Sequence, residues 1–133
     1  GLEISGNTFK NCNANAICAS GNVEIKNNTF KNILLGGISV LFDSEITISD
    51  NSFENIATYN VSNNDNYFSY IKIGNNESAI KVNAIITSNI FKNESEMNIK
   101  ILDFYEFSKS TYTYSNNQEI GNFDKNLIEQ VCK

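Results

Sequence analysis

The chain has 133 residues, the size of one domain, with a net charge of −5 and 41% hydrophobic residues. It can bury a core, and it carries little that would attract a nucleic-acid backbone or an anionic membrane. It contains 24 Asn and 18 Ile but no Arg, His, Pro or Trp. Chemistry that needs a histidine base, an imidazole ligand or an arginine clamp for phosphate is therefore excluded within it.

In chain order, Leu2-Glu3-Ile4 reads as a strand from the outset. The first residue is Gly1 rather than Met, so the expectation is a piece excised from a longer chain. Four segments then align on Ile-x-x-Asn-x-Phe-x-Asn. They place Ile4, Ile25, Ile48 and Ile86 in one column, and Asn7, Asn28, Asn51 and Asn89 in the next. Phe9, Phe30, Phe53 and Phe91 form a third column, and Asn11, Asn32, Asn55 and Asn93 a fourth. The first asparagines lie 21, 23 and 38 residues apart. Between the copies, Ala16-Ile17, Gly37-Ile38 and Ala79-Ile80 each open a short apolar segment. Alternating β-branched stretches such as Val23-Glu24-Ile25 and Ile46-Thr47-Ile48, bounded by Asn, Gly and Ser, predict strands rather than helices.

A period of 21 to 23 residues with three short strands fits one coil of a parallel β-helix, whose strands pair with their equivalents about 4.8 Å along the axis. The Ile and Phe columns then point inward, while Lys10, Lys31, Glu54 and Lys92 alternate with the Phe row and face solvent. Asparagine tolerates the left-handed backbone that coil corners require, and stacked Asn side chains hydrogen-bond along a column. Both Asn columns are therefore assigned a structural role. Cys12 falls in the column of Ile33 and Ile56 and is read as a small core residue. Bridges Cys12–Cys18 and Cys18–Cys132 remain open alternatives.

The repeat with its intervening Gly-Ile strand resembles the right-handed parallel β-helix repeats of the pectin-lyase-like superfamily, in particular its degenerate Asn-rich regions. Phe-Lys-Asn and Gly36-Gly37-Ile38 are also similar to the Phe-x-x-Asn and Gly-Gly-Ile repeats of polymorphic outer-membrane adhesins. The spacing here is Phe-x-Asn, however, and Gly-Gly-Ile occurs once. The resemblance covers about residues 1–96. It implies an all-β, right-handed parallel β-helix of about four to five coils; the N-terminal end looks uncapped, so further coils are expected before Gly1. It does not select a function, because the superfamily includes lyases, hydrolases, adhesins and tailspikes.

Two regions break the pattern. The 38-residue interval is read as an insertion of about 15 residues, with a loop over about 57–69; the competing reading is a degenerate coil with Tyr70–Ile73 as its strand. Insertions in solenoids project from one face and often bind. Tyr59, Asn60, Asn64, Tyr67 and Tyr70 are accordingly candidate binding residues, offering rings and amides to a sugar, with Phe68 among them. Residues 97–133 are expected to hold the last strands and a terminal cap. Phe104, Tyr105, Phe107, Tyr112 and Tyr114 pack over the last coil in this reading. Phe123, Leu127, Ile128 and Val131 follow helical spacing, with Asn122 as N-cap.

No catalytic residue, metal site or cofactor is assigned. Asp43, Asp50, Asp65, Asp103 and Asp124 are scattered, and only Asp43 and Asp50 flank one strand. Glu3 and Glu24 share an outward column and are read as solvated charges rather than a cation grip. Four sequons point outside the cell, at Asn27, Asn60, Asn76 and Asn93. The expectation is a non-catalytic segment of a larger secreted or surface protein, structural or adhesive, with glycans or surface proteins as partners. The alternative is the C-terminal part of a polysaccharide lyase or glycoside hydrolase whose catalytic coils lie upstream. A third reading is a self-associating scaffold that uses the first coil as an edge.

Overall fold

The computed structural model describes residues 1–74, 80–104 and 110–124. The β-branched segments form strands, and the Asn, Gly and Ser between them turn the chain at each corner. In order these are β1 (Leu2–Ser5), β2 (Thr8–Cys12), β3 (Ile17–Lys26), β4 (Thr29–Ile33), β5 (Ile38–Ser49) and β6 (Ser52–Ile56). A short helix, α1 (Thr58–Asn63), is followed by β7 (Ser69–Ile73), β8 (Val82–Thr87), β9 (Ile90–Asn93) and β10 (Lys100–Phe104). The described part ends with β11 (Thr111–Ser115) and β12 (Gln118–Gly121).

Every strand pairing among these elements is parallel, and each joins a strand to its equivalent in the next coil. Strands β2, β4, β6, β9 and β12 make one five-stranded sheet. The others make a larger sheet that bends where β3 and β5 run through a corner: one arm of β5 pairs with β7, the other with β8. The chain thus winds as a parallel β-helix around an apolar interior. Ile25, Ile48 and Ile86 stand in register and are buried, with Ile4 partly buried at the first coil. The Phe column stacks face to face, with ring centroids 5.0 Å (Phe9–Phe30), 4.5 Å (Phe30–Phe53) and 5.0 Å (Phe53–Phe91) apart. Stacking adds about 0.5–1.5 kcal/mol per pair to what burial alone supplies.

The two Asn columns do different work. Asn28, Asn51 and Asn89 are buried and form a continuous hydrogen-bonded ladder. The backbone N–H of Asn7 donates to Asn28 Oδ1, that of Asn28 to Asn51, that of Asn51 to Asn89, and that of Asn89 to Asn117, each at 2.9 Å. The Nδ2 groups donate along the same line at 3.0–3.2 Å. The second Nδ2 hydrogen of Asn28, Asn51 and Asn89 goes to the carbonyl of Ile4, Ile25 and Ile48 in the preceding coil, at 2.9 Å. Each central carboxamide therefore uses all four of its hydrogen-bonding positions.

These ladder residues do not adopt left-handed backbone. The residue before each one does: Gly6, Asn27, Asp50, Ser88 and Asn116, with φ between 55° and 69°. That corrects the expectation that corner geometry explains this column. The geometry instead explains the second column, where Asn11, Asn32 and Asn55 have φ of 54–56°. Its amide contact is weaker, with Asn32 Nδ2 3.4 Å from Asn11 Oδ1. Asn93 leaves the pattern. Its Nδ2 donates to Met97 O and Asn122 O, and its Oδ1 accepts from Ser95, pinning the next connection.

The coils continue past residue 96. A fifth rung, Tyr114-Ser-Asn-Asn117-Gln-Glu119-Ile-Gly121, lies in register with the Ile86 rung but keeps only the ladder Asn. Its Ile and Phe positions hold Tyr114 and Glu119. The Tyr114 ring covers Phe91 at 6.3 Å, and its hydroxyl donates to Glu119 Oε1 at 2.9 Å. Burial first, and then the Glu119 carboxylate, push the Tyr114 hydroxyl's pKa upward.

Both readings of the 38-residue interval contain part of the answer. β7 is the regular strand of its coil, with Ile71 opposite Ile38 and Leu102. The extra residues enter at two corners, ten between Ile56 and Ile71 and five between Ile73 and Ala84. The apolar segment equivalent to Ala16-Ile17 and Gly37-Ile38 is therefore Tyr70-Ile71, not Ala79-Ile80. Phe123 is buried, and its backbone bridges Ile99. The expected helix through Leu127, Ile128 and Val131 lies outside the described residues, as do Tyr105, Phe107 and Cys132. Phe104 and Tyr112 pack partly buried against the core, 4.8 Å apart.

Asn51→Ala removes the acceptor for two Asn28 donors and the donor to Ile25 O. At about 1–3 kcal/mol per unsatisfied buried group, the expected loss in urea unfolding is roughly 3 kcal/mol or more. Asn7→Ala, at the exposed first rung, should cost about 1 kcal/mol or less. Equal costs would show that the ladder does not hold the coils in register.

Candidate functional site

The most irregular corner is where the chain leaves the core after β6. Ala57, buried and left-handed (φ 58°), turns the backbone into α1, so the expected loop over 57–69 begins as a helix. Asn64, also left-handed, ends α1 and sends its N–H to Asn60 O. The return is fixed by Asn60, whose Oδ1 accepts from Phe68 N at 3.0 Å and whose Nδ2 donates to Phe68 O at 2.7 Å. Phe68 then holds the edges of two tyrosine rings, Tyr59 at 5.3 Å and Tyr67 at 4.9 Å. The Tyr59 N–H donates to Leu34 O, tying the helix to the coil beneath.

The five candidate binding residues separate accordingly. Tyr67 is 67% exposed, Asn64 is exposed, and Tyr59 is half-buried. Asn60 and Tyr70 are fully buried and are removed from the binding set. Tyr70 occupies the register position of Gly37, and its ring meets Phe53, Phe91 and Phe123 at 6.5, 6.1 and 5.2 Å. Its hydroxyl donates to Lys92 O at 2.6 Å, and burial pushes its pKa upward. Gly37 itself is a packing requirement, since a Cβ there would stand 2.8 Å from Tyr70 O and 3.1 Å from the Phe53 ring.

Beside α1 lies an open groove of about 340 Å³, bounded on one side by Thr58, Val61 and Ser62 and on the other by Glu94 and Ser95, with Asn55 at its floor. Val61 is 44% exposed. Asn55 Oδ1 accepts from Glu94 N at 3.0 Å, which closes that end. Sequence reasoning missed Val61, Glu94 and Ser95. The column shared by Asn55 and Asn93 brings residues 94 and 95 back to this corner, but the sequence does not show that the insertion folds as a helix beside them.

Seven of the described charged residues form surface ion pairs. Glu3 and Glu24 share Lys26, whose Nζ lies 3.6 Å from each. Asp43 and Asp50 stand at opposite ends of one arm of β5, roughly 20 Å apart at about 3.3 Å per residue, so flanking the strand does not bring them together. Among the described residues, no group of three or more His, Cys, Asp or Glu is placed to hold a metal. Cys12 and Cys18 are free thiols, so the Cys12–Cys18 bridge is absent. On the outer face, Glu54 lies between Lys31 (3.6 Å) and Lys92 (3.9 Å). A hydrogen bond with Glu94, and then the two ammonium groups, hold its carboxyl below the ordinary value of 4.5 against the opposing pull of desolvation.

Coils of in-register parallel strands, with a polar amide ladder at one corner and an elaborated second corner, define a β-helix solenoid. The chain matches the family described as right handed beta helix region over residues 1–132, and it belongs to that family. Neither the curated proteins nor the solved structures compared with the chain gave a match.

Glu54 stabilises the folded state fully above its unfolded value near 4.5, and that contribution disappears as pH falls through the lowered folded value. Glu54→Gln should therefore lower Tm at neutral pH, with the difference from the unsubstituted chain closing as pH falls below 4.5 and through the lowered folded value. A Tm difference that stays constant across that range would rule out the ion-paired role.

Proposed function

We propose that this chain is a non-catalytic β-helix segment of a larger secreted or cell-surface protein, with an adhesive role exercised at the α1 corner. The reading rests on one observation. The insertion buries Ala57, Asn60 and Tyr70 to fix its shape, and leaves Tyr67 and Val61, at 67% and 44% exposure, facing solvent. Exposed rings and aliphatic groups on an anchored support contribute little to folding and suit contact with a partner.

The chemistry of the corner suits neutral saccharides or a polar protein surface. Tyr67 offers a ring face, and Asn64 with the groove residues Asn55, Thr58 and Ser62 offers amides and hydroxyls. The chain's lack of Arg and His weighs against lyase or hydrolase chemistry in these coils themselves; the alternative reading is the C-terminal part of a polysaccharide lyase or glycoside hydrolase. In that alternative the catalytic coils lie outside residues 1–133.

Binding is testable on arrays of neutral and acidic glycans, followed by titration of the best ligand. Tyr67→Ala should weaken it by about two- to tenfold, the scale of one ring contact of roughly 0.5–1.5 kcal/mol, with the fold retained and Tm lowered only by the loss of the Tyr67–Phe68 contact. Release of unsaturated or reducing ends from a polysaccharide by this chain would overturn the non-catalytic reading. Full affinity in Tyr67→Ala would move the contact away from this corner.

A further inference from the structure

We infer that Asn27 is an N-glycosylation site, and that among the described sequons it is the one whose amide the fold leaves free to carry a sugar. The inference takes its setting from the extracellular reading above and is independent of any ligand at the α1 corner.

Four asparagines stand in Asn-x-Ser/Thr signals, and Asn76 lies outside the described residues. The other three differ in what the acceptor nitrogen already does. Asn60 is 0% exposed, and its Nδ2 donates to Phe68 O at 2.7 Å. Asn93 is 5% exposed, and its Nδ2 donates to both Met97 O, at 2.8 Å, and Asn122 O, at 2.6 Å. A sugar on either nitrogen would replace a hydrogen the fold uses and would have to enter a closed space. Buried groups that lose their partner in this way are costly, and the added volume has nowhere to go.

Asn27 is built differently. It is an exposed corner residue with φ 55°, held only through its main chain. Its N–H donates to Ser49 O at 3.3 Å, and its carbonyl accepts from Gly6 N at 3.1 Å. Its carboxamide has no hydrogen bond among the described residues. Thr29, which completes the signal, is exposed at the first position of β4. An open cleft of about 420 Å³ runs along this corner beside Asn27, Thr29, Asp50, Ser52 and Ser88. Polar walls of this kind suit the first sugar of an attached chain.

The donor class is an oligosaccharide carried on a lipid pyrophosphate. Asn27 Nδ2 attacks the anomeric carbon, the C1–N bond forms as the C1–O bond breaks, and the lipid pyrophosphate leaves with that electron pair. One Nδ2 proton passes to a carboxylate base of the transferase, and the remaining N–H stays with the glycosylated amide. At Asn27 the lost hydrogen was not in use.

The test has two parts. The chain is produced behind a secretory leader in a glycosylating host, and the folded, monomeric fraction is mapped by glycopeptide mass spectrometry. The expected result is a glycan on Asn27 and none on Asn60 or Asn93, with the Asn27 glycan lost in Thr29→Ala. Ser62→Ala, which removes the Asn60 signal but keeps the asparagine, should leave the fold unchanged and not reduce the yield. Folded material glycosylated at Asn60 or Asn93, or bare at Asn27, would overturn the inference. The second part uses chain made in a non-glycosylating host, which reads the site even if secretion fails. Asn27→Gly, which keeps the left-handed backbone that Gly6 adopts at the equivalent corner, should keep the parental Tm, while Asn60→Gln and Asn93→Gln lower it. A lowered Tm in Asn27→Gly, or an unchanged one in the other two, would equally sink the assignment.

Discussion

The structure depends on one interaction, the carboxamide ladder from Asn7 through Asn28, Asn51 and Asn89 to Asn117. A buried amide presents two donors and two acceptor positions, and leaving any of them unmatched is expensive. Only one geometry matches all of them here: an identical amide in the next coil, with the carbonyl of the preceding coil's Ile in reach. Strand pairing fixes the spacing between coils but is indifferent to a slip by two residues. The ladder is not indifferent, because a slip in one direction would put a Phe or Glu side chain, and in the other a Ser, Thr or Lys side chain, where an amide is required. The Ile and Phe columns then stack as a consequence of a register set at the corner beside them.

Much of the coil architecture was legible in the sequence, because in a stacked fold equivalent residues see equivalent surroundings. Four fixed positions in four copies were enough to place the inward Ile and Phe rows and the outward Lys and Glu row. The fifth rung was not legible, because two compensating replacements hide it. Tyr114 extends from the Ile position over Phe91, and Glu119, at the Phe position, accepts the tyrosine's hydrogen bond. Neither residue resembles what it replaces, yet the ring covers the end of the Phe column and the pair joins its own polar atoms. The surviving trace is Ser115-Asn116-Asn117, where a left-handed residue precedes the ladder Asn as Asn27 precedes Asn28.

The candidate site was less legible, since composition identifies an insertion but not which of its side chains face inward. Tyr59, Asn60, Asn64, Tyr67 and Tyr70 look alike as rings and amides. They separate only once β7 is known to pair with β5, which drives Tyr70 into the core beside Gly37 and makes Asn60 the anchor of the returning chain. The groove beside α1 was illegible because the sequence does not show that the insertion folds as a helix over the corner shared by Asn55 and Asn93.

The contrast between the two kinds of corner has a further consequence. At the amide corner the turn is short and nearly uniform, whereas the other corners absorb ten and five additional residues without disturbing the strands on either side. Heredity can therefore act on this molecule in whole units. An unequal crossover between two ladder codons adds or deletes one complete rung, while a length change elsewhere alters only what projects from it. The asparagine column works as a set of splice points along which the protein can lengthen, shorten and diversify without losing its winding.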